Sequence, residues 1–396
     1  MSKYFNFKNA FNIVLLIWCI SIPFKNAVYQ ISTVLLILHF IIYIIINKDS
    51  NHLKELLYKF KKLIFAFSLI ILSMTISNFI NDVSTTDAWK LELMFILRYA
   101  LVFIVLIYFY SKDIINKKNL TIFIIISLFI QSSDGIYQSI FGYDFFANNI
   151  ASLNTGINGA IGNRNTYSFL MGLGFIISFV CLIKKSNTIL INSYLSILLA
   201  TFTFLILFSY SRAVWVALFV GLLIYIVSQS KYLKVKHFIY LLIFLCIVFL
   251  IFMNIDSLSN RLEQLFRLNT SSRDKIWLKA IELIKEKPFF GWGLDTWKIN
   301  GAVNLNGIHN SILEILVFTG VFGLISFLGV LYITIKHIFK NKQWELLFII
   351  SFLFITSQFG HSIFKTKIFL SVATILMFYI YSIEIKKENI KNDKKV

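Results

Sequence analysis

Long apolar runs separated by short polar connectors organise this chain. The runs cover 10–22, 28–46, 63–80, 93–110, 120–140, 166–183, 188–210, 212–229, 238–254, 311–335, 346–360 and 368–385. About 20 helical residues cross a hydrocarbon layer of about 30 Å, and most of the runs approach that length. Helices satisfy their own backbone hydrogen bonds in lipid, so the pattern predicts an all-α integral membrane fold with about 12 transmembrane helices. The expected organisation is spans one to nine in 1–254, a large loop at 255–310, spans ten to twelve in 311–385 and a basic tail at 386–396. The first run is short and follows Lys3 and Lys8, as a signal peptide would. No small-residue cleavage site follows it and the next span begins at once, so it is expected to remain as a span.

Composition supports the same class: 58% of the 396 residues are hydrophobic and only 14% are charged. A formal charge of +19 would suggest a nucleic-acid partner in a soluble chain. Here the lysines follow every second span, at Lys48 to Lys62, Lys112 to Lys118, Lys184 and Lys185, Lys231 to Lys236, Lys336 to Lys342, and Lys386 to Lys395. Basic loops of membrane proteins stay in the cytoplasm, so both termini are expected there and no nucleic acid is implied. Cys19, Cys181 and Cys246 lie in apolar runs, which predicts neither a disulfide framework nor a cysteine metal site.

Two loops on the opposite side, 141–165 and 255–310, exceed what a connector needs, and long loops on a rigid scaffold carry function. In the second, Ile276, Trp277, Ala280, Ile281 and Ile284 recur at helical spacing, predicting an amphipathic helix on the membrane surface or over a cavity. Ser271 or Ser272 fits its N-cap, and Pro288 stops it before the turn Gly291-Trp292-Gly293. Arg273 in its first turn opposes the helix dipole, whereas an arginine beside free N–H groups makes an anion site.

Arg212, after Tyr210 and Ser211, falls on the outer side where the positive-inside rule would not place it, either as a snorkelling anchor or as a ligand group. Arg98 lies about six residues, roughly 9 Å, inside span four. Burying it costs about 3 kcal/mol, so it needs a partner or a water-filled cavity, and Asp134 at similar depth is the candidate. His309 enters span ten, where Ser311 and Glu314 fit a capping box. Three arginines and a histidine from four segments are thus expected at one level of the bilayer. Arginine forks match phosphate oxygens, and a histidine can take a proton from an incoming hydroxyl. The outer face of a bacterial inner membrane lacks nucleotide sugars, so a transferase there would use a lipid-linked donor such as a polyprenyl diphosphate sugar. No Asp-x-Asp or His-Glu-x-x-His pattern stands in the outer loops, which accords with a site needing no metal or other cofactor.

Ser211-Arg212-Ala213-x-Trp215, Arg273-Asp274-x-x-Trp277 with Pro288 and Gly291-Trp292-Gly293, and His309-Asn310-Ser311-x-Leu313 with Thr319-Gly320-x-x-Gly323-Leu324 resemble signatures of the O-antigen ligase and polymerase family of membrane glycosyltransferases. Asp134-Gly135-x-Tyr137-Gln138, Gly142-x-Asp144 and Gly162-Asn163-Arg164-Asn165 resemble further segments, though Arg164 stands where the family often has proline. The resemblance implies a scaffold like other membrane-embedded (GT-C-like) glycosyltransferases. It also implies transfer of a glycan from undecaprenyl diphosphate to the lipid A core of lipopolysaccharide, at the periplasmic face of the inner membrane. Arg212, Arg273 and His309 would be catalytic, the arginines on the diphosphate and the histidine as base. Arg98, Arg164, Asp134, Tyr210 and Trp277 would bind diphosphate or glycan. An O-antigen polymerase using the same donor is the alternative. A flippase of lipid-linked glycans is the alternative from another class, disfavoured because no matching pair of interrupted spans is visible. Chain length favours a ligase over the larger protein O-glycosyltransferases.

Overall fold

A computed structural model describes residues 2–24, 26–81, 83, 86–184, 188–229, 235–267, 273–296, 307–360 and 362–393. The candidate caps Ser271 and Ser272, the basic residues Lys185, Lys231, Lys234, Lys394 and Lys395, and loop residues 297–306 lie outside them. Regular structure among the described residues is helical, apart from one bridge between Tyr143 and Ile150. Nine helices are long and apolar enough to cross a membrane, and they coincide with nine of the twelve apolar runs. The other three runs are the shorter helices Phe7–Ser21 and Trp344–Ser357, and Leu242–Asn254, which meets Asp256–Phe266 at a 104° bend. This is a multi-pass membrane protein with, among the described residues, nine helices of spanning length and apolarity, or ten with the bent pair.

The helix Asn26–Asn47 shows how lipid inverts the usual polarity. Its buried stripe, Tyr29, Ser32, Thr33, Leu36, Phe40 and Tyr43, contains its hydroxyl residues, while Val28, Ile31, Leu35, Leu38 and Ile42 are exposed. Each buried hydroxyl then needs a partner. Trp18 Nε1 donates to Thr33 Oγ1 at 3.1 Å, and the Tyr29 hydroxyl meets Ser371 Oγ at 2.7 Å.

The chain forms two compact units. The first comprises Met1–Ile124, Ser272–Gln343 and His361–Val396. Its main departure from regular helix is a break in Ser311–Asn341 at Gly320, where φ is 65° and ψ is −164°. The returning chain after the amphipathic helix Arg273–Glu286 fills the gap. Trp292 N and Gly293 N donate to the Val317 and Phe318 carbonyls at 2.8 and 3.0 Å, while Val321 N and Phe322 N donate to the Pro288 and Phe289 carbonyls at 2.8 and 3.3 Å. Irregular backbone at membrane depth persists only where protein satisfies its polar groups, as this segment does. The amphipathic helix buries Ile276, Ala280 and Leu283 and packs against Ser311–Asn341.

The second unit comprises Ile125–Ser271 and Trp344–Gly360. Three buried side chains pin its loop 142–163. Asp134 accepts from Phe145 N and Ala160 N at 2.9 and 2.8 Å. Gln138 Oε1 accepts from Asn158 N and Gly159 N at 2.9 and 2.8 Å, and Asp144 takes the amides of Phe146 and Ala147 at 3.0 and 2.6 Å. The bent pair also holds a helix that the apolar pattern did not predict, Asp256–Phe266, inside the segment expected to be a loop.

Candidate active site

In the second unit, the helices Ile189–Phe208 and Arg212–Gln229 are joined by a tight turn through Ser209, Tyr210 and Ser211. Tyr210 adopts a left-handed backbone with φ 53°. That conformation costs a non-glycine residue about 1 kcal/mol, so its surroundings must hold it. Its hydroxyl donates to the Leu153 carbonyl and is hydrogen-bonded to Ser257 Oγ at 2.8 Å, and Trp215 Nε1 closes the turn onto the Ile206 carbonyl at 3.1 Å. Tyr210 therefore ties together the loop, the turn and the helix Asp256–Phe266. Its hydroxyl is fully engaged in the scaffold.

The turn sets Arg212 at the first position of its helix, where Nη1 donates to the Gln264 carbonyl at 2.9 Å. Arg164 opens the helix Arg164–Lys184, whose first turn is capped by Asn163 Oδ1 accepting from Thr166 N at 3.1 Å. Arg164 is near enough to Arg212 and Arg261 to feel both charges, and Arg212 feels Arg261. Arg261 donates to Gln264 Oε1 at 2.8 Å. Among the described residues no carboxylate pairs with Arg164 or Arg261. Like charges gathered this closely favour an anion, and the buried Ser211 Oγ beside them has no hydrogen-bond partner. Sequence reasoning passed over Arg261; its signal was Leu258, Leu262 and Leu265 recurring at helical spacing around it.

Arg273, Trp277 and His309 belong to the first unit. Arg273 and Trp277 lie on the amphipathic helix, and Trp277 Nε1 is buried without a hydrogen-bond partner. His309 also has a left-handed backbone, with φ 54°, immediately before the cap of Ser311–Asn341. The expected capping box does not form. Asn310 is the cap, its Oδ1 accepting from Leu313 N at 3.0 Å. Glu314, 6% exposed, instead accepts from Ser362 Oγ at 2.6 Å and Ile363 N at 3.2 Å, which fixes the loop ahead of the last helix. Asparagine precedes the helix by one residue more than serine does, so the register places Glu314 beyond reach of the N-cap amide.

Arg98 also lies in the first unit and is 6% exposed. Both Asp134 oxygens are taken by backbone amides of its own unit, and the Arg98 guanidinium lies over the Tyr29 ring, 5.3 Å from its centre.

Residues 195–328 match the O-antigen ligase family, an interval that includes Tyr210, Arg212, Arg261, Arg273, Trp277 and His309. A curated relative, the ComP-specific O-oligosaccharyltransferase of Acinetobacter baylyi (strain ATCC 33305 / BD413 / ADP1), is 26% identical over 257 residues, covering 57% of this chain and 45% of the relative. The chain thus spans less than half the length of the curated relative it matches. The resemblance carried by the arginine and histidine motifs is borne out over residues 195–328, the segment that matches the O-antigen ligase family.

Proposed function

We propose that this chain is a membrane glycosyltransferase of the O-antigen ligase type. It moves a glycan from undecaprenyl diphosphate to the lipid A core of lipopolysaccharide, at the periplasmic face of the bacterial inner membrane, with both termini in the cytoplasm. The observation that carries this reading is the gathering of Arg164, Arg212 and Arg261 around the turn 209–211, which lies in the family-matching segment, with no carboxylate among the described residues paired with Arg164 or Arg261.

The acceptor hydroxyl attacks the anomeric carbon, a new C–O bond forms, and the bond from that carbon to the diphosphate breaks. The leaving diphosphate departs with an additional negative charge, which the arginines stabilise by charge-assisted hydrogen bonds without a metal. The hydroxyl proton passes to the His309 imidazole. Arg273 is a further diphosphate ligand, Trp277 offers its free indole N–H to the glycan, and Asp134 and Tyr210 act by shaping the loop and turn that carry Arg164 and Arg212.

A second reading differs in the acceptor alone. The relative is named an oligosaccharyltransferase specific for ComP, which favours a polypeptide hydroxyl as the alternative acceptor. Purified protein would be incubated with undecaprenyl diphosphate glycan, a chelator, and either lipid A core or a serine-rich protein. Glycan on lipid A core supports the ligase, glycan on the protein the second reading, and lengthening on the carrier a polymerase. Movement of labelled donor between leaflets without any new glycosidic bond would overturn the transferase reading.

A further inference from the structure

Arg98 sits on a π-helical turn, Ile96–Leu101, within the apolar span Asp87–Ser111. Such turns interrupt the regular ladder and occur often at functional sites. Here Thr374 Oγ1, from the last helix, donates to the Arg98 carbonyl at 2.9 Å. On the same aromatic ring that the Arg98 guanidinium faces, Lys367 Nζ approaches to 5.4 Å from the centre. The two cations are close enough for Lys367 to feel the Arg98 charge. Lys367 is half-buried and donates to the Phe24 carbonyl, while Tyr29 is held by Ser371.

Among the described residues, no carboxylate pairs with either cation and the Arg98 guanidinium has no hydrogen-bond partner. One tyrosine ring in contact with two cations cannot balance both charges. Two neighbouring positive groups, one of them a planar fork, match the several oxygens and the negative charge of a phosphate better than a single carboxylate. The surrounding helices are membrane spans, so the anion must arrive on a lipid. We propose that Arg98, Lys367 and Tyr29 form a binding site for the phosphate headgroup of a membrane lipid. The site lies wholly within the first unit and does not depend on the transferase reading.

The test uses the full-length protein in detergent, with Arg164→Gln, Arg212→Gln and Arg261→Gln introduced to silence the other arginine cluster. Undecaprenyl phosphate and phosphatidylglycerol are added separately, and bound lipid is counted by native mass spectrometry. Adding Arg98→Gln and Lys367→Gln is expected to weaken at least one lipid about tenfold, the loss of charge-assisted contacts. A response to undecaprenyl phosphate alone identifies a carrier site, and a response to both identifies a general lipid-phosphate site. Lys367→Gln alone, at the half-buried start of its helix, is expected to weaken binding about threefold and gives a reading even if the double change prevents insertion. Unchanged binding of both lipids to these variants overturns the proposal.

Discussion

The Trp292 backbone N–H donates to the Val317 carbonyl at 2.8 Å, so the turn after the amphipathic helix is hydrogen-bonded into the gap of a broken span. The junction requires two glycines. A Cβ on Gly320 would stand 2.3 Å from the Phe289 carbonyl carbon, and one on Gly291 would stand 2.6 Å from the Phe318 carbonyl carbon. Both residues also have positive φ, and both obstacles are backbone. Gly320→Ala or Gly291→Ala is therefore expected to destabilise the protein by about 2 to 4 kcal/mol. Thermal unfolding in detergent measures the loss, and near-native stability of both variants would show that the junction can yield.

A polar relay holds the same turn from the other side. Asn78 Oδ1 accepts from Leu294 N at 2.8 Å, and Asn78 Nδ2 donates to the buried Glu92 carboxylate at 3.0 Å. Thr75 Oγ1 donates to the other Glu92 oxygen at 2.5 Å. Asn78→Ala leaves both the Leu294 amide and a carboxylate oxygen unsatisfied, at about 1 to 3 kcal/mol for each buried group. Hydrogen exchange resolved by peptide is expected to speed up over 288–296 more than over Asn26–Asn47. Uniform acceleration across the chain would contradict a local relay.

Much of this architecture was legible from sequence, for definite physical reasons. Apolar runs must become helices in lipid, so all twelve runs fall on helices, and the spacing of Ile276, Ala280 and Ile284 revealed the amphipathic helix. Pairings over long sequence separations were not legible. Nothing local to Glu314 points to Ser362, and nothing local to Arg98 points to Tyr29 and Lys367. Composition also hid the break at Gly320, because its apolar neighbours read as continuous span while the groups that satisfy it lie about 30 residues upstream, in a segment read as loop. The Ser-Arg and His-Asn motifs were recognisable, but the strained backbones of Tyr210 and His309 that present them were not.

His309 combines a proposed chemical role with a left-handed backbone, and these can be separated. Asparagine tolerates that backbone well but cannot act as a base near neutral pH. His309→Asn is expected to keep thermal stability within about 0.5 kcal/mol of the parent while transfer falls by about 100-fold or more. Donor binding, followed by retention of labelled undecaprenyl diphosphate glycan, should persist. Retained turnover would remove His309 from the base role.

The arginine cluster predicts a graded response. Arg212→Lys keeps a charge but loses the planar fork, and Arg164→Gln loses the charge altogether. One charge-assisted hydrogen bond contributes about 1.5 to 3 kcal/mol, or about 10- to 100-fold in turnover if it is made to the departing diphosphate. Both variants are expected to fall in that range, with kcat more affected than KM because leaving-group charge develops in the transition state. An unchanged kcat with raised KM would assign the cluster to ground-state binding of the donor.

A last prediction concerns the connector at Asp49, between the spans Asn26–Asn47 and Lys61–Ile80. Its carboxylate accepts from the Tyr108 hydroxyl at 2.6 Å and pairs with Lys112 at 2.5 Å. Partial burial raises the Asp49 carboxyl, but the Lys112 ammonium and the Tyr108 hydroxyl outweigh it and hold the group below the usual carboxylate range. A carboxyl depressed in the folded state stabilises the fold above its unfolded value, near pH 3.9, and that contribution disappears as pH falls through the lower folded value. The connector should therefore keep its pairing at neutral pH and loosen only in strong acid. Asp49→Asn removes this pH-dependent contribution, so its stability should be lower than the parent's at pH 7 and converge on it below about pH 3. Unfolding midpoints in detergent across that range test the sign, and a gap that widened in acid would mean that Asp49 is not stabilised as a carboxylate by Lys112 and Tyr108.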